Sequence, residues 1–290
     1  MTSQPSFKAG SKPIIGVFDS GFGGLTVLKA LLEIIPEAEY LYFGDTARLP
    51  YGSKSAETVS RYACEAAHFL EQQGAKLLVI ACNTATALAI EQIRSTASVR
   101  VLGVIEPGAE RALAESRTRK IVVIGTEATI SSHAYHKALS TLQLEAREKA
   151  CPLLVPLVEE GWVDHAVTEQ VAKIYLGEAF SDGFRSADVL LLGCTHYPLL
   201  KPLLHRVIPE NVTLVDSAES VALAVLNLLV SGTSKVGPGQ LDGVKPLERR
   251  SARASNLRFF VTDSAEKFRR IGSLFLGQEI RDITHVDLKE

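Results

Sequence analysis

Two stretches of this chain repeat one pattern. Lys76-Leu77-Leu78-Val79-Ile80-Ala81-Cys82-Asn83-Thr84 and Asp188-Val189-Leu190-Leu191-Leu192-Gly193-Cys194-Thr195-His196 are each an apolar run of strand length, followed by a small residue, a cysteine and two polar residues. A run without polar alternation reads as a strand buried on both faces, which belongs in a parallel sheet covered by helices. The carboxyl end of such a strand is where open α/β sheets hold their ligands. Free cysteine is often a core filler. Here, however, each cysteine is followed by Asn-Thr or Thr-His, and hydroxyl and amide groups suit a polar pocket better than a core.

The rest of the chain fits the same architecture. Strand-like runs at residues 14–18, 40–43, 101–105, 120–124, 153–158 and 213–215 alternate with helical stretches at 25–35, 56–73, from 132 and 163–180, as expected for parallel sheets with helices on both faces. Pro36 stops the first helix, and Gly74 stands where a C-cap glycine belongs. Glu106-Pro107-Gly108 reads as a crossing point, after which the alternation restarts. Residues 231–256 read as a linker or surface excursion, and the strand at 257–261 and helix at 264–276 are expected to return to the first half. The expected fold is therefore α/β, with two similar lobes, each a mostly parallel sheet flanked by helices, and an active-site cleft between them. The first lobe is discontinuous, 1–106 plus 216–290, and the second, 107–215, is inserted into it.

With 290 residues, 46% hydrophobic and 22% charged, the composition is that of an ordinary globular protein. A formal net charge of -2 leaves no basic footprint for nucleic acid. No apolar run approaches bilayer length, and residues 1–13 lack the apolar region of a signal peptide. Four cysteines in a chain this long do not make a disulfide scaffold, so a cytoplasmic location with free thiols is expected.

Several chemistries compete for the two strand-end cysteines. Asp19-Ser20 closes the first strand, and Gly21, Gly23 and Gly24 allow close backbone approach and free N–H groups suited to an anion. A dinucleotide loop needs a third glycine where Thr26 stands, so NAD binding is rejected. Cys82, Cys194 and His196 could supply three zinc ligands, but no fourth stands at close spacing. Cys64 and His68 share a helical i, i+4 spacing and read as packing, as does Cys151. A pyridoxal enzyme needs a Schiff-base lysine, and none of Lys12, Lys29, Lys54 or Lys76 is framed by a phosphate cradle. Neither a cofactor nor a metal is therefore expected. His196 is placed to exchange a proton with Cys194 if the chain turns after the strand. Two thiols reaching one substrate from opposite sides could remove a proton from one face of a carbon and return one to the other.

The motifs Gly16-Val17-Phe18-Asp19-Ser20-Gly21-Phe22-Gly23-Gly24, Gly44-Asp45-Thr46-Ala47-Arg48-Leu49-Pro50-Tyr51-Gly52, Ala81-Cys82-Asn83-Thr84-Ala85-Thr86, Val155-Pro156-Leu157-Val158-Glu159 and Gly193-Cys194-Thr195-His196-Tyr197-Pro198 resemble the glutamate racemase family in order and content. The resemblance covers residues 14–230, with a weaker echo at 259–268. Related aspartate racemases usually carry a glutamate where this chain has His196, which favours glutamate as substrate. The resemblance implies a cofactor-independent two-base reaction with Cys82 and Cys194 as the acid/base pair and Cys82 facing the D-enantiomer. Asp19 would assist Cys82, His196 would assist Cys194, and Glu159 would act near the ammonium. Asp19, Ser20, Tyr51, Gly52, Asn83, Thr84, Thr126, Thr195 and His196 would bind the substrate. The resemblance also implies a homodimer and a role in supplying D-glutamate to peptidoglycan. An aspartate or broader amino-acid racemase, and a binding protein that has lost turnover, stay open beside it.

Overall fold

The computed structural model describes residues 12–231 and 257–288. In chain order the first half runs β1 (Ile14–Asp19), α1 (Leu25–Ile34), β2 (Glu39–Gly44), α2 (Ala56–Gln72), β3 (Leu77–Ile80), α3 (Asn83–Thr96) and β4 (Arg100–Gly103). Then come α4 (Ile105–Glu115), β5 (Lys120–Gly125), α5 (Glu127–Ser131), α6 (Ala134–Thr141), β6 (Glu145–Ala150), α7 (Leu154–Glu159), α8 (Ala166–Ala179), β7 (Val189–Gly193), α9 (Lys201–Val207) and β8 (Thr213–Asp216). The last elements are α10 (Ser217–Ser231), β9 (Leu257–Val261), α11 (Ala265–Leu276) and β10 (Ile283–His285).

The strands form two sheets, β10-β9-β2-β1-β3-β4 and β6-β5-β7-β8, and every strand pair in them is parallel. Within the first sheet β2-β1-β3-β4 has the same order as the whole of the second, counted from its own first strand. In both, the chain leaves the first strand toward one edge and returns to the other side with the third, which opens a crevice beyond the carboxyl ends of those two strands. Asp19 ends the first strand of one sheet and Cys82 follows its third, while Thr126 and Cys194 follow the corresponding strands of the other. The buried strands are apolar throughout, and one contiguous core joins Val17 and Val79 of the first sheet to Val122 and Leu190 of the second.

The strand expected at 153–158 is a helix instead, α7, with Pro156 in its first turn, where an N–H has no partner inside the helix to lose. The strand of that region lies earlier, at β6, whose sequence Glu-Ala-Arg-Glu-Lys-Ala carries no apolar face. It sits at a sheet edge and is only half-buried, where charged side chains are tolerated and discourage further pairing. Glu106-Pro107-Gly108 does lie where the chain passes from one sheet to the other, but as the first turn of α4. The long helix at 163–180 begins three residues later than expected, and the short edge strand β10 has no counterpart in the sequence reading. As expected, β9 rejoins the first sheet, beside β2. Apart from Ser231, which ends α10, the expected linker at 231–256 lies outside the described residues.

Candidate active site

Between the two sheets lies a cavity of about 260 Å³ lined from both. Cys82, Asn83 and Thr84 enter it from the start of α3, and Cys194, Thr195 and His196 from the loop after β7. Ser20, Tyr51, Gly52, Ser53, Thr126, Glu127 and Glu159 complete its polar lining, with Leu49, Pro50, Pro152, Val155 and Pro156 among the apolar groups. Every expected site residue except Asp19 lines this space. Asp19 lies just behind the wall, 1% exposed.

On the first-sheet side, Cys82 is the N-cap residue of α3, and its sulfur accepts the Ala85 N–H at 3.4 Å. Its thiol donates to Ser20 Oγ at 3.5 Å. Burial pushes this thiol up to about 12, and the nearby Asp19 charge pushes the same way. Asp19 Oδ2 accepts the Gly21 N–H at 2.9 Å, while Oδ1 has no hydrogen-bond partner among the described residues. Burial raises the Asp19 carboxyl above the usual carboxylate range. Gly24 permits this packing, since a β-carbon there would stand 2.5 Å from that of Asp19. Thr26, the residue that breaks the dinucleotide pattern, donates to the carbonyls of Gly23 and Thr195 at 2.9 and 3.1 Å and so ties the two lobes together.

On the second-sheet side a short relay runs through His196. Nδ1 lies 3.8 Å from Cys194 Sγ, and Nε2 lies 3.2 Å from Glu159 Oε1. Burial opposes a charged imidazole, but Cys194 and Glu159 outweigh it and push His196 up to about 10. Burial would likewise raise Glu159, yet the hydrogen bond with His196 holds it below its ordinary value. The α7 helix therefore delivers Glu159 to the ring, a placement the strand reading could not supply.

The remaining walls are fixed by side-chain hydrogen bonds. Thr84, Thr126 and Thr129 bond to one another at 2.9 to 3.1 Å, joining α3 to the start of α5 across the lobes. Tyr51 donates to Asp45 Oδ2 at 2.5 Å, and Asp45 Oδ1 accepts from Thr262 at 2.8 Å. The returning C-terminal segment thus braces the Tyr51 loop. Asp45 stood within a quoted motif without a role, because its partner Thr262 is more than two hundred residues away. Among the lining residues there is no lysine or arginine, so an anionic ligand would meet hydroxyls, amides, backbone N–H groups and the His196 ring, with the carboxylates of Glu127 and Glu159 also on the wall.

Cys64, His68 and Cys151 each have a nearby partner. Among the described residues no group of three His, Cys, Asp or Glu side chains converges as a metal site. His68 Nε2 faces Gln72 at 2.9 Å, and Cys64 interacts with Thr96. Cys151 is wholly buried, with its thiol 3.6 Å from the Lys149 carbonyl.

Residues 15–225 match the family model described as Asp/Glu/Hydantoin racemase. The chain belongs to this racemase family. Among the racemases similar to it, a glutamate racemase from Koribacter versatilis is 59% identical over 285 residues, covering 96% of this chain and 98% of that one. A solved glutamate racemase isoform from Bacillus anthracis superposes with a TM-score of 0.82 at 38% identity, covering 95% of this chain and 98% of that chain. The racemase from Francisella tularensis, solved in complex with D-glutamate, gives a TM-score of 0.81 at 35% identity, with 96% and 98% covered.

Proposed function

We propose that this racemase interconverts L- and D-glutamate without a cofactor, by two-base chemistry between Cys82 and Cys194. The observation that carries the reading is the placement of the two cysteines at equivalent strand ends of two sheets of the same order, on one shared cavity. The similarity to named glutamate racemases over almost the whole chain supports glutamate as the substrate.

Starting from L-glutamate, the Cys194 thiolate takes the α-proton, the C–H bond breaks into an S–H bond, and the electron pair stays on Cα, spread into the α-carboxylate. The Cys82 thiol then gives its proton to the opposite face, leaving D-glutamate and a Cys82 thiolate. The reverse direction exchanges the roles, and exchange with solvent resets the pair. His196, held by Glu159, serves Cys194 as proton partner and Asp19 serves Cys82. Thr195, Asn83, Thr84, Ser20, Thr126 and the backbone N–H groups of Tyr51 and Gly52 hold the carboxylates, and Glu159 stands toward the ammonium. The α-proton is far less acidic than a thiol, so the donors must stabilise charge that develops at the carboxylate in the transition state. A dry, closed cleft strengthens each of those hydrogen bonds.

Four further expectations complete this reading. The lobes divide at 1–106 with 216–290 and at 107–215, supported by the sheet to which each strand belongs. The protein acts in the cytoplasm as a homodimer and supplies D-glutamate for the bacterial wall. Free thiols among the described residues suit a reducing compartment, and among those residues no helix is long and apolar enough to cross a membrane.

Incubation with either enantiomer in deuterated water, without added cofactor, should give loss of optical rotation and deuterium at Cα. Replacing Cys82 or Cys194 by alanine should lower turnover by about 10²–10⁴-fold, the usual share of a positioned acid or base. No exchange with glutamate, or faster exchange with aspartate, would overturn the substrate. Full exchange in the Cys82→Ala, Cys194→Ala double variant would overturn the two-thiol mechanism.

A further inference from the structure

Tyr135 lies on α6 in the second lobe, outside the cavity and wholly buried, yet it touches the neighbours of both cysteines. Its hydroxyl donates to Asn83 Oδ1 at 2.6 Å, and Asn83 directly follows Cys82. Its ring packs on Gly193, which directly precedes Cys194, so closely that a β-carbon there would stand 2.9 Å from Cε2. The helix that carries it is pinned at its start. Glu148 of β6 accepts from the His136 N–H at 3.1 Å and pairs with the His133 ring at 2.7 Å, while His133 itself holds a left-handed φ of 54°.

The bond to Tyr135 settles which way the Asn83 amide faces. A phenol hydrogen needs an acceptor, and Asn83 offers only its carbonyl oxygen for that purpose. Burial, reinforced by the charges of Cys194 and Asp216, raises Tyr135 far above its ordinary value and keeps it a donor. With Oδ1 so engaged, the NH₂ end is turned the other way. Asn83 is 2% exposed and lines the cavity, and its Nδ2 has no hydrogen-bond partner among the described residues. A buried donor left unpaired is costly, and a ligand carboxylate is the kind of group that would satisfy it.

We infer that Tyr135 is a positioning residue that acts across the lobes, holding the Asn83 amide so that its NH₂ group is reserved for a substrate carboxylate while its ring sets the spacing of the Cys194 loop. Tyr135 meets no reacting atom itself. This inference rests on the reading of the cavity as the glutamate site, and it adds a residue that no motif or lining contact would select.

The test is steady-state kinetics on the full chain with L- and D-glutamate, comparing wild type with Tyr135→Phe, Asn83→Ala, the double variant and Asn83→Asp. Tyr135→Phe should raise KM about tenfold with a much smaller change in kcat, the mark of lost substrate binding shared by ground and transition states. In the Asn83→Ala background the same change should have almost no further effect on KM. A wild-type KM for Tyr135→Phe, or a full tenfold effect on top of Asn83→Ala, would overturn the inference. If Tyr135→Phe does not fold, as read by circular dichroism, Asn83→Asp decides. It keeps an acceptor for Tyr135 but removes the NH₂ donor, so an unchanged KM overturns the inference and a KM raised at least tenfold supports it. Turnover by the wild type reports separately on the glutamate reading, since an inactive wild type sinks that reading before any variant is compared.

Discussion

His196 is buried among groups that favour its charged form, and that has a consequence for stability. Its value in the folded protein, about 10, exceeds the ordinary 6.5. A raised value means that the folded state binds the proton more tightly, so the contribution is complete below pH 6.5 and is lost as pH rises through about 10. Wild type should therefore exceed His196→Asn in thermal midpoint by the widest margin at neutral pH or below, with the margin closing toward pH 10. A margin that stays constant over that range in a melting series would refute the assignment. The site was partly legible at this scale. Cys82 and Cys194 stood out because each ends an apolar run, and His196 because it follows one of them. Asp45 and Tyr135 were illegible because their roles come from partners far along the chain, Thr262 and Asn83, and no local spacing encodes such a contact.

Among the elements, the turn between β1 and α1 is the most constrained by close approach. A β-carbon on Gly23 would collide with Thr195 Oγ1 and stand 2.6 Å from His196 Nδ1. Gly23→Ala should therefore destabilise by about 1–3 kcal/mol through overpacking and disable turnover by displacing the Cys194 loop. Gly177→Ala is the matched control. That glycine sits exposed within α8 with nothing near its missing β-carbon, so alanine should stabilise by about 0.5–1 kcal/mol through helix propensity alone. Equal thermal midpoints and activities for the two variants would show that the turn has room for a β-carbon. Elements that bury an apolar face, such as β1, β3, β5 and β7, could be read directly from the chain. β6 and β10 could not, because an edge strand needs pairing partners rather than an apolar pattern of its own. α7 was misread because a short apolar stretch interrupted by Pro156 fits strand and helix alike.

For the molecule as a whole, the repeat of one strand order in two sheets was legible only as alternation, since the side on which each strand adds is a long-range choice. A ligand that bridges both sheets should stabilise them together. At a concentration 100 times its Kd, glutamate should add about 2.7 kcal/mol to the unfolding free energy, visible as one cooperative transition moved to higher temperature. A calorimetric trace in which glutamate moves only part of the unfolding would place binding within one lobe. The chain enters the second sheet through α4 and leaves it at the start of α10, and these passages run side by side: a β-carbon placed on Gly108 would lie 3.9 Å from that of Ser217. Two adjacent tethers remove most of the relative freedom of the bodies they connect. Sliding and twisting would stretch one tether against the other, and swinging about the line through both would have to part the Thr26–Thr195 and Thr84–Thr126 hydrogen bonds. The two thiols are thus carried on arms fastened both at their base and across their faces, so the gap between them is set by the whole seam rather than by either arm.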